Sequence, residues 1–155
     1  FDNVSVGAVG AIGQSALAAA FGGRRRADAI SARTWQALDR VGLSGLAEEL
    51  AANISYGKRK YLEIARALAM KPDLLVLDEP AAGLNDSETA DLARGIRTLN
   101  GEGLSIMLVE HDMNLVMSIC SRVVVLASGR KIADAEPAVV RADPAVLEAY
   151  LGVDE

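Results

Sequence analysis

The sequence predicts an α/β fold, in which helices flank a parallel sheet and a helical subdomain lies on the N-terminal side. Two almost continuously apolar runs, at residues 74–77 and 105–109, are typical of strands that are covered on both faces. Helical patterns lie before the first run and between the two runs. This alternation of helix and buried strand assigns both runs to one parallel sheet.

The first third of the chain carries helical patterns. Residues 4–23 are rich in Ala and Gly, are too weakly hydrophobic to span a membrane, and are expected to form short helices. Further helical patterns cover residues 29–41 and 43–51, with a break at Gly42. Arginines 24–26 are interpreted as a solvated face, with an acidic partner loop or lipid headgroups as the alternatives.

Two apolar features are assigned to the core. Trp35, Leu38 and Val41 recur at helical spacing, which favours core positions over a cofactor platform. Cys120 is the only cysteine and is expected to be a small buried residue on a C-terminal helix. A single cysteine excludes an internal disulfide and fits a reducing cytoplasm.

The helix before the first strand begins with features of an anion site. Ser55 is placed to cap this helix, and Pro72 follows its end. A Ser and a Gly at a helix N-terminus, here Ser55 and Gly57, leave N–H groups and the positive end of the dipole free for an anion. The basic residues 58–60 oppose the dipole at this position. The alternative interpretation is an ordinary capped helix.

The remaining elements follow in order. Asp86 is expected to cap a helix through about residue 99, with Asn100-Gly101 closing it. After the second strand, the sequence predicts a helix at 113–120, a hairpin of strands 122–127 and 131–135 around Ser128-Gly129, and helices at 137–141 and 144–151.

Acidic and imidazole side chains follow the two apolar runs. Asp78 and Glu79 end the first run, and His111, the only histidine, comes just after the second. Open α/β sheets bind ligands beyond the carboxyl ends of their strands. An Asp that holds Mg²⁺ followed by a Glu that polarises water suits phosphoryl transfer. The alternative is a strand that ends in a solvated acidic turn.

Together these motifs resemble the ATP-binding cassette (ABC) ATPases. Residues 54–58 look like a variant of their Leu-Ser-Gly-Gly-Gln signature, and residues 74–79 look like their Walker B strand. Residues 82–85 are similar to the D-loop, and His111 falls at the place of the switch histidine. The resemblance implies an ABC ATPase core of the P-loop NTPase type.

The resemblance also implies ATP and Mg²⁺ as cofactors and a role for each matching residue. Glu79 would be the general base, His111 would contact the γ-phosphate, and Asp78 would support Mg²⁺. The nucleotide-binding positions would be Ser55, Tyr56, Gly57, Lys58 and Asn85. Among these, Tyr56 replaces the first signature Gly, Lys58 replaces Gln, and Asn85 replaces the usual D-loop Asp.

No Gly-x-x-x-x-Gly-Lys-Ser/Thr loop occurs in the 155 residues. The chain is therefore expected to be the C-terminal portion of a larger ATPase that lacks the Walker A half, and to be inactive and poorly soluble alone. The expected parts are a helical subdomain with the signature at 1–72, an α/β part at 73–135 and a helical tail at 136–155.

The subfamily is inferred from residues 78–85, 110–113 and 149–152, which look like the ATPase subunits of bacterial branched-chain amino-acid importers. The expected partners are a second ATPase subunit and transmembrane permease subunits, and the expected location is cytoplasmic, peripheral on the inner face of the cell membrane. The alternatives are a lipopolysaccharide-export or urea-import ATPase and a non-catalytic interaction module. The net charge of −5 and the pI near 4.9 argue against a nucleic-acid partner.

Overall fold

The computed structural model describes residues 1–12 and 23–151. The helices are α1 (Asp2–Ala11), α2 (Gly23–Arg40), α3 (Tyr56–Leu68), α4 (Asp86–Gly101), α5 (Met113–Ile119), α6 (Pro137–Arg141) and α7 (Pro144–Leu151). The strands are β1 (Leu74–Asp78), β2 (Ser105–Val109), β3 (Val123–Ala127) and β4 (Arg130–Ala135). Two short 3-10 helices, Ser44–Leu46 and Ala51–Asn53, lie between α2 and α3.

The predicted strands form two small sheets. β1 and β2 pair in parallel, with Leu74 opposite Ser105 and Asp78 opposite Val109. β3 and β4 form the predicted antiparallel hairpin. The parallel pairing of β1 and β2 confirms the α/β prediction and brings the carboxyl ends of both strands to the same edge.

An ion-pair cluster ties the two strands of the hairpin together. Asp134 accepts hydrogen bonds from Nε of Arg122 at 2.8 Å and from Nζ of Lys131 at 2.9 Å. These two donors lower the pKa of Asp134 to about 2. All three side chains reach solvent, so these ion pairs contribute little to stability.

The core lies on one face of the β1–β2 sheet. Leu75 and Leu77 join a buried cluster to which α1, α2, α3 and α4 also contribute. A second cluster joins α5, β3, α6 and α7, and Leu108 of β2 packs against both clusters. The first cluster continues across the predicted boundary after residue 72; the division into 1–72, 73–135 and 136–155 stays a prediction.

The opposite face of this sheet is apolar and exposed, so the prediction that both faces are covered is wrong for the described residues. The apolar side chains on this face are Leu74, Val76, Met107 and Val109, with Val76 55% and Met107 53% exposed. The physical reason is that the helices around β1 and β2 supply apolar side chains to the other face alone. An apolar patch of this kind favours association in water.

Two helix predictions near the N-terminus need correction. α2 begins at Gly23 rather than at residue 29, and the predicted helix at 43–51 is replaced by the two 3-10 helices. Gly42 ends α2 with a φ of +70°, and Leu43 donates back to the carbonyl of Leu38 at 2.8 Å. Residues 43–51 include Ser44 and Gly45, which are poor helix formers, and the segment is too short to form an α-helix despite them.

The core assignments for the first third of the chain are partly wrong. Leu38 is buried, but Trp35 is 42% exposed and packs its ring against Phe1, with centroids 5.5 Å apart. α1 confirms part of the helical prediction for residues 4–23, whereas residues 13–22 lie outside the described part. Within residues 1–12 and 23–151, no helix has both the length and the apolar composition needed to cross a membrane.

Cys120 lies at the end of α5 and is half-buried against the second cluster. Burial raises the pKa of its thiol. The neutral thiol is therefore favoured, which agrees with the expected role as a small apolar residue.

We expect the double substitution Val76→Thr, Met107→Thr to raise the monomeric fraction of the 155-residue chain, because it removes apolar area from the exposed face of the sheet. Thr retains the strand preference of a β-branched residue. Sedimentation velocity measures the monomeric fraction.

The matched control is Leu75→Thr on the buried face of the same strand. It should lower the free energy of unfolding by about 2–4 kcal/mol, because it removes a core side chain and buries a hydroxyl. Unchanged association of the double variant would contradict the assignment of this face.

Candidate functional site

The parallel pairing of β1 and β2 assembles one end of the candidate site. Asp78 is the last residue of β1 and lies opposite Val109, the last residue of β2. The N–H of Glu79 donates to the carbonyl of Val109 at 2.9 Å, which continues the strand pairing one step further. The residues that follow the two strands therefore start from the same edge of the sheet.

Glu79 and His111 meet at this edge. Nδ1 of His111 lies 3.6 Å from Oε1 of Glu79, and these side chains are 73% and 57% exposed, respectively. Glu79 has a φ of +44°, in the left-handed region that residues other than Gly rarely adopt. Such conformations cluster at functional sites. The arrangement presents a carboxylate and an imidazole side by side to solvent, where they can reach a water molecule and a phosphate.

Glu110 lies between these exposed groups but points inward. Its side chain is 1% exposed. Oε1 accepts from the N–H of Ala81 at 2.9 Å, and Oε2 accepts from the N–H of His111 at 3.1 Å. Sequence reasoning missed this residue. The available signal was the two-residue period of a strand, which puts residue 110 on the same side as Leu108.

The second part of the site is the N-terminus of α3. Ser55 caps the helix as predicted, and its Oγ accepts from the N–H of Lys58 at 3.4 Å. Ser55, Tyr56 and Lys58 are exposed, whereas Gly57 is buried. A Cβ atom at Gly57 would lie 2.7 Å from Oε1 of Glu88. A side chain at position 57 would therefore displace the carboxylate of Glu88, because the start of α4 packs directly on Gly57.

Tyr56 packs against the loop that follows β1. A Cβ atom at Gly83 would lie 3.0 Å from Cε1 of Tyr56, and Gly83 has a φ of +78°. On the helix side, Nζ of Lys60 lies 5.6 Å from the centre of the Tyr56 ring. Tyr56 of the predicted signature thus contacts the predicted D-loop of its own chain.

Asn85 is the N-cap of α4, so the assignment of the cap to Asp86 is wrong. Oδ1 of Asn85 accepts from the N–H of Glu88 at 3.0 Å, and Oε2 of Glu88 accepts from the N–H of Asn85 at 3.1 Å. This reciprocal pair is a capping box, whose signal in the sequence is the spacing Asn-x-x-Glu. The expected contact of Asn85 with a second subunit stays a prediction.

We define the connecting loop as residues 79–85, which joins the two parts of the site. It is held to the strand ends through Ala81 and Glu110, and to the N-terminus of α3 through Gly83 and Tyr56. The structure therefore places Asp78, Glu79 and His111 in one group, and residues 55–58 in another.

The donor set at the strand ends suits Mg²⁺ rather than a metal held by protein alone. Among the described side chains, no group of three or more His, Cys, Asp or Glu residues is arranged to hold a metal ion. Mg²⁺ is commonly bound by one or two carboxylates together with waters and substrate phosphates. The exposed carboxylate of Asp78 fits that mode of binding.

Comparison with family models identifies the chain. A model described as "ABC transporter" matches residues 3–82, which is more than half of the chain. The chain belongs to the ABC transporter ATPase family. The resemblance drawn from the sequence motifs is thereby confirmed, as is the P-loop NTPase-like fold of an ABC cassette. A second model, "Branched-chain amino acid ATP-binding cassette transporter", matches residues 130–155.

Known relatives of this ABC ATPase agree with both models. The high-affinity branched-chain amino acid transport ATP-binding protein LivG of Escherichia coli is 46% identical over 78% of the chain and 47% of LivG. The lipopolysaccharide export system ATP-binding protein LptB of Acidithiobacillus ferridurans is 34% identical over 77% of the chain and 50% of LptB. The chain thus spans about half the length of the curated relatives it matches.

A solved ABC cassette has the same fold. The structure of MJ1267, an ATP-binding cassette of an ABC transporter, is 30% identical, with a TM-score of 0.73 over 79% of this chain and 50% of that chain. The architecture built from β1, β2 and their helices is therefore that of an ABC cassette.

We expect Asn85→Ala to lower the free energy of unfolding by about 1 kcal/mol, because the bond that the N–H of Glu88 donates to Oδ1 of Asn85 is lost, although the backbone N–H of residue 85 can still donate to Glu88. Asn85→Asp should leave stability unchanged or raise it, since Asp is an equally good cap and favours the positive end of the helix dipole. Urea unfolding measures both variants. Equal losses for Ala and Asp would contradict the capping role.

Proposed function

We propose that this chain is the C-terminal half of an ATP-hydrolysing subunit of a bacterial ABC importer for branched-chain amino acids. The observation that carries the catalytic part is the exposed pair of Glu79 and His111 at the joined ends of β1 and β2. The family supports ATP binding and hydrolysis by the complete protein. The importer assignment is supported by the family match at residues 130–155 and by the identity to LivG.

The residues at the strand ends would divide the work of phosphoryl transfer. Asp78 would hold Mg²⁺, and Glu79 would accept a proton from the attacking water. His111 would donate a hydrogen bond to the γ-phosphate from the same edge of the sheet. Bound Mg²⁺ would neutralise charge that develops on the phosphate oxygens. Glu79 is suited to its role because its carboxylate is exposed rather than committed to the core.

Residues 55–58 would act on a nucleotide held by a second ATPase subunit in a head-to-tail dimer. Ser55, Tyr56 and Lys58 are exposed at the N-terminus of α3, where helix N–H groups favour an anion. The Ser55 to Lys58 hydrogen bond is long, at 3.4 Å, so a phosphate oxygen can replace it at little cost. Gly57 would let the backbone approach closely, and Asn85 would link the two sites of the dimer.

The remainder of the nucleotide site would come from the other half of the full-length protein. A Walker A loop would supply the phosphate cradle that the 155 residues lack, and the chain alone would be inactive. Transmembrane permease subunits would complete the transporter, with the ATPase bound at the inner, cytoplasmic face of the cell membrane.

A lipopolysaccharide-export or urea-import ATPase is the alternative transporter assignment. The higher identity to LivG than to LptB favours the amino-acid importer. The non-catalytic interaction module is the alternative outside transport. It is disfavoured because Glu79 and His111, the two groups proposed to act in hydrolysis, are both present and lie side by side at the strand ends.

In the full-length protein, Glu79→Gln should abolish ATP turnover and leave ATP binding intact, because the amide has the size of the carboxylate but accepts no proton. Steady-state phosphate release and titration with a fluorescent nucleotide measure the two properties. The matched control is Glu63→Gln on the exposed surface of α3, which should keep wild-type turnover. Retained hydrolysis by Glu79→Gln would refute the assignment of Glu79 as the general base.

The complete complex, reconstituted with its two membrane subunits in proteoliposomes, should accumulate labelled leucine in an ATP-dependent manner. Urea and glycine serve as control solutes, and the Glu79→Gln complex sets the background. Absence of leucine uptake together with ATP-dependent urea uptake would favour the alternative importer.

A further inference from the structure

Glu110 is a buried carboxylate whose hydrogen bonds join the two sides of the candidate site. Its oxygens accept from Ala81 in the connecting loop at 2.9 Å and from the backbone of His111 at 3.1 Å. A buried charge is costly unless it is hydrogen-bonded, and bonds to an ionised acceptor are stronger than neutral ones. The position of Glu110 therefore constrains both of its donors.

The two N–H donors, of Ala81 and His111, lie next to the side chains proposed to act on the attacking water and on the phosphate. The N–H of Ala82 donates to the carbonyl of Glu79 at 3.1 Å, so Glu79 and Ala81 belong to one tight turn. On the other side, Glu110 bonds the backbone of His111 itself, and Oε2 of Glu110 lies 3.9 Å from Nδ1 of the ring. A shift of either donor would change the 3.6 Å separation of Glu79 and His111.

We propose that Glu110 is a positioning residue that sets the distance between Glu79 and His111 by bonding the turn of one and the backbone of the other. This inference rests on the proposed ATPase function. Glu110 itself does not reach the substrate, because its side chain is 1% exposed and its oxygens are engaged with the backbone. Catalysis is sensitive to misplacement of reacting groups on this scale.

Asp112 provides a matched control two residues away. It also accepts two backbone N–H groups, from Asn114 at 2.9 Å and from Leu115 at 3.1 Å. Its bonds cap α5 and do not reach the connecting loop. Both of these bonds use Oδ1, so Asp112→Asn removes the charge but keeps the accepting oxygen. Glu110→Gln removes the charge and also leaves only one of the two oxygens that link the turn to His111.

The test uses the full-length protein and compares kcat, KM for ATP, nucleotide affinity and the melting temperature. Glu110→Gln should lower kcat by about 10- to 100-fold, the scale seen when a supporting partner of an active-site ligand is removed. KM and nucleotide affinity should stay within about two-fold, since binding of the ground state is not affected. Asp112→Asn should keep kcat and change the melting temperature little, because Asn is an equally good cap.

A double-mutant cycle with His111→Ala separates positioning from general stability. If Glu110 acts through His111, Glu110→Gln should cause a much smaller further loss of kcat in the His111→Ala background than in the wild type. Glu110→Asp retains the charge but has a side chain one methylene shorter, so its kcat should lie between those of the wild type and Glu110→Gln. If Glu110→Gln does not fold, Glu110→Asp takes its place in the test.

Three results bear on the proposal differently. A wild-type protein without ATPase activity would refute the proposed function itself. An active wild type with an unchanged kcat in folded Glu110→Gln or Glu110→Asp would overturn the positioning role alone. Fully additive effects of Glu110→Gln and His111→Ala would also overturn it, because two independent residues would then be involved.

Discussion

The parallel pairing of β1 with β2 is the constraint on which the rest of the site depends. It sets Asp78 opposite Val109, and the bond from Glu79 to Val109 extends the pairing past the end of β1. As a result, residues more than 30 positions apart along the chain emerge at one edge. Both the contact between Glu79 and His111 and the inward turn of Glu110 follow from this register.

The connecting loop extends this constraint to the N-terminus of α3. Glu110 holds Ala81, Tyr56 lies against Gly83, and the capping box starts α4 immediately afterwards. Each contact uses a different chemistry: a buried charge, an aromatic ring on a glycine, and a reciprocal pair of hydrogen bonds. The loop therefore lies between the group at the strand ends and residues 55–58 and contacts both.

Local signals predicted most of the fold, and contacts distant in sequence account for what was missed. Apolar runs and Ser128-Gly129 predicted β1, β2 and the hairpin, because strand and turn preferences are short-range. A continuously apolar run does not say which face is covered, so the exposed face with Val76 could not be predicted. The inward position of Glu110 follows from the two-residue period of the strand only once the face that carries Leu108 is known to be the covered one. The Asn85 cap was readable from its spacing to Glu88, whereas the packing of Tyr56 on Gly83 depends on tertiary structure.

The most direct test of the central claim is a crystal structure of the full-length protein with Mg²⁺, ADP and a transition-state mimic of the γ-phosphate such as vanadate. The account predicts that the mimic lies within about 3 Å of a ring nitrogen of His111, and that the carboxylate of Glu79 lies within hydrogen-bond reach of the oxygen in line for attack. A fully occupied nucleotide with its γ-phosphate mimic out of reach of both side chains would contradict the assignment of this strand edge as the hydrolytic site.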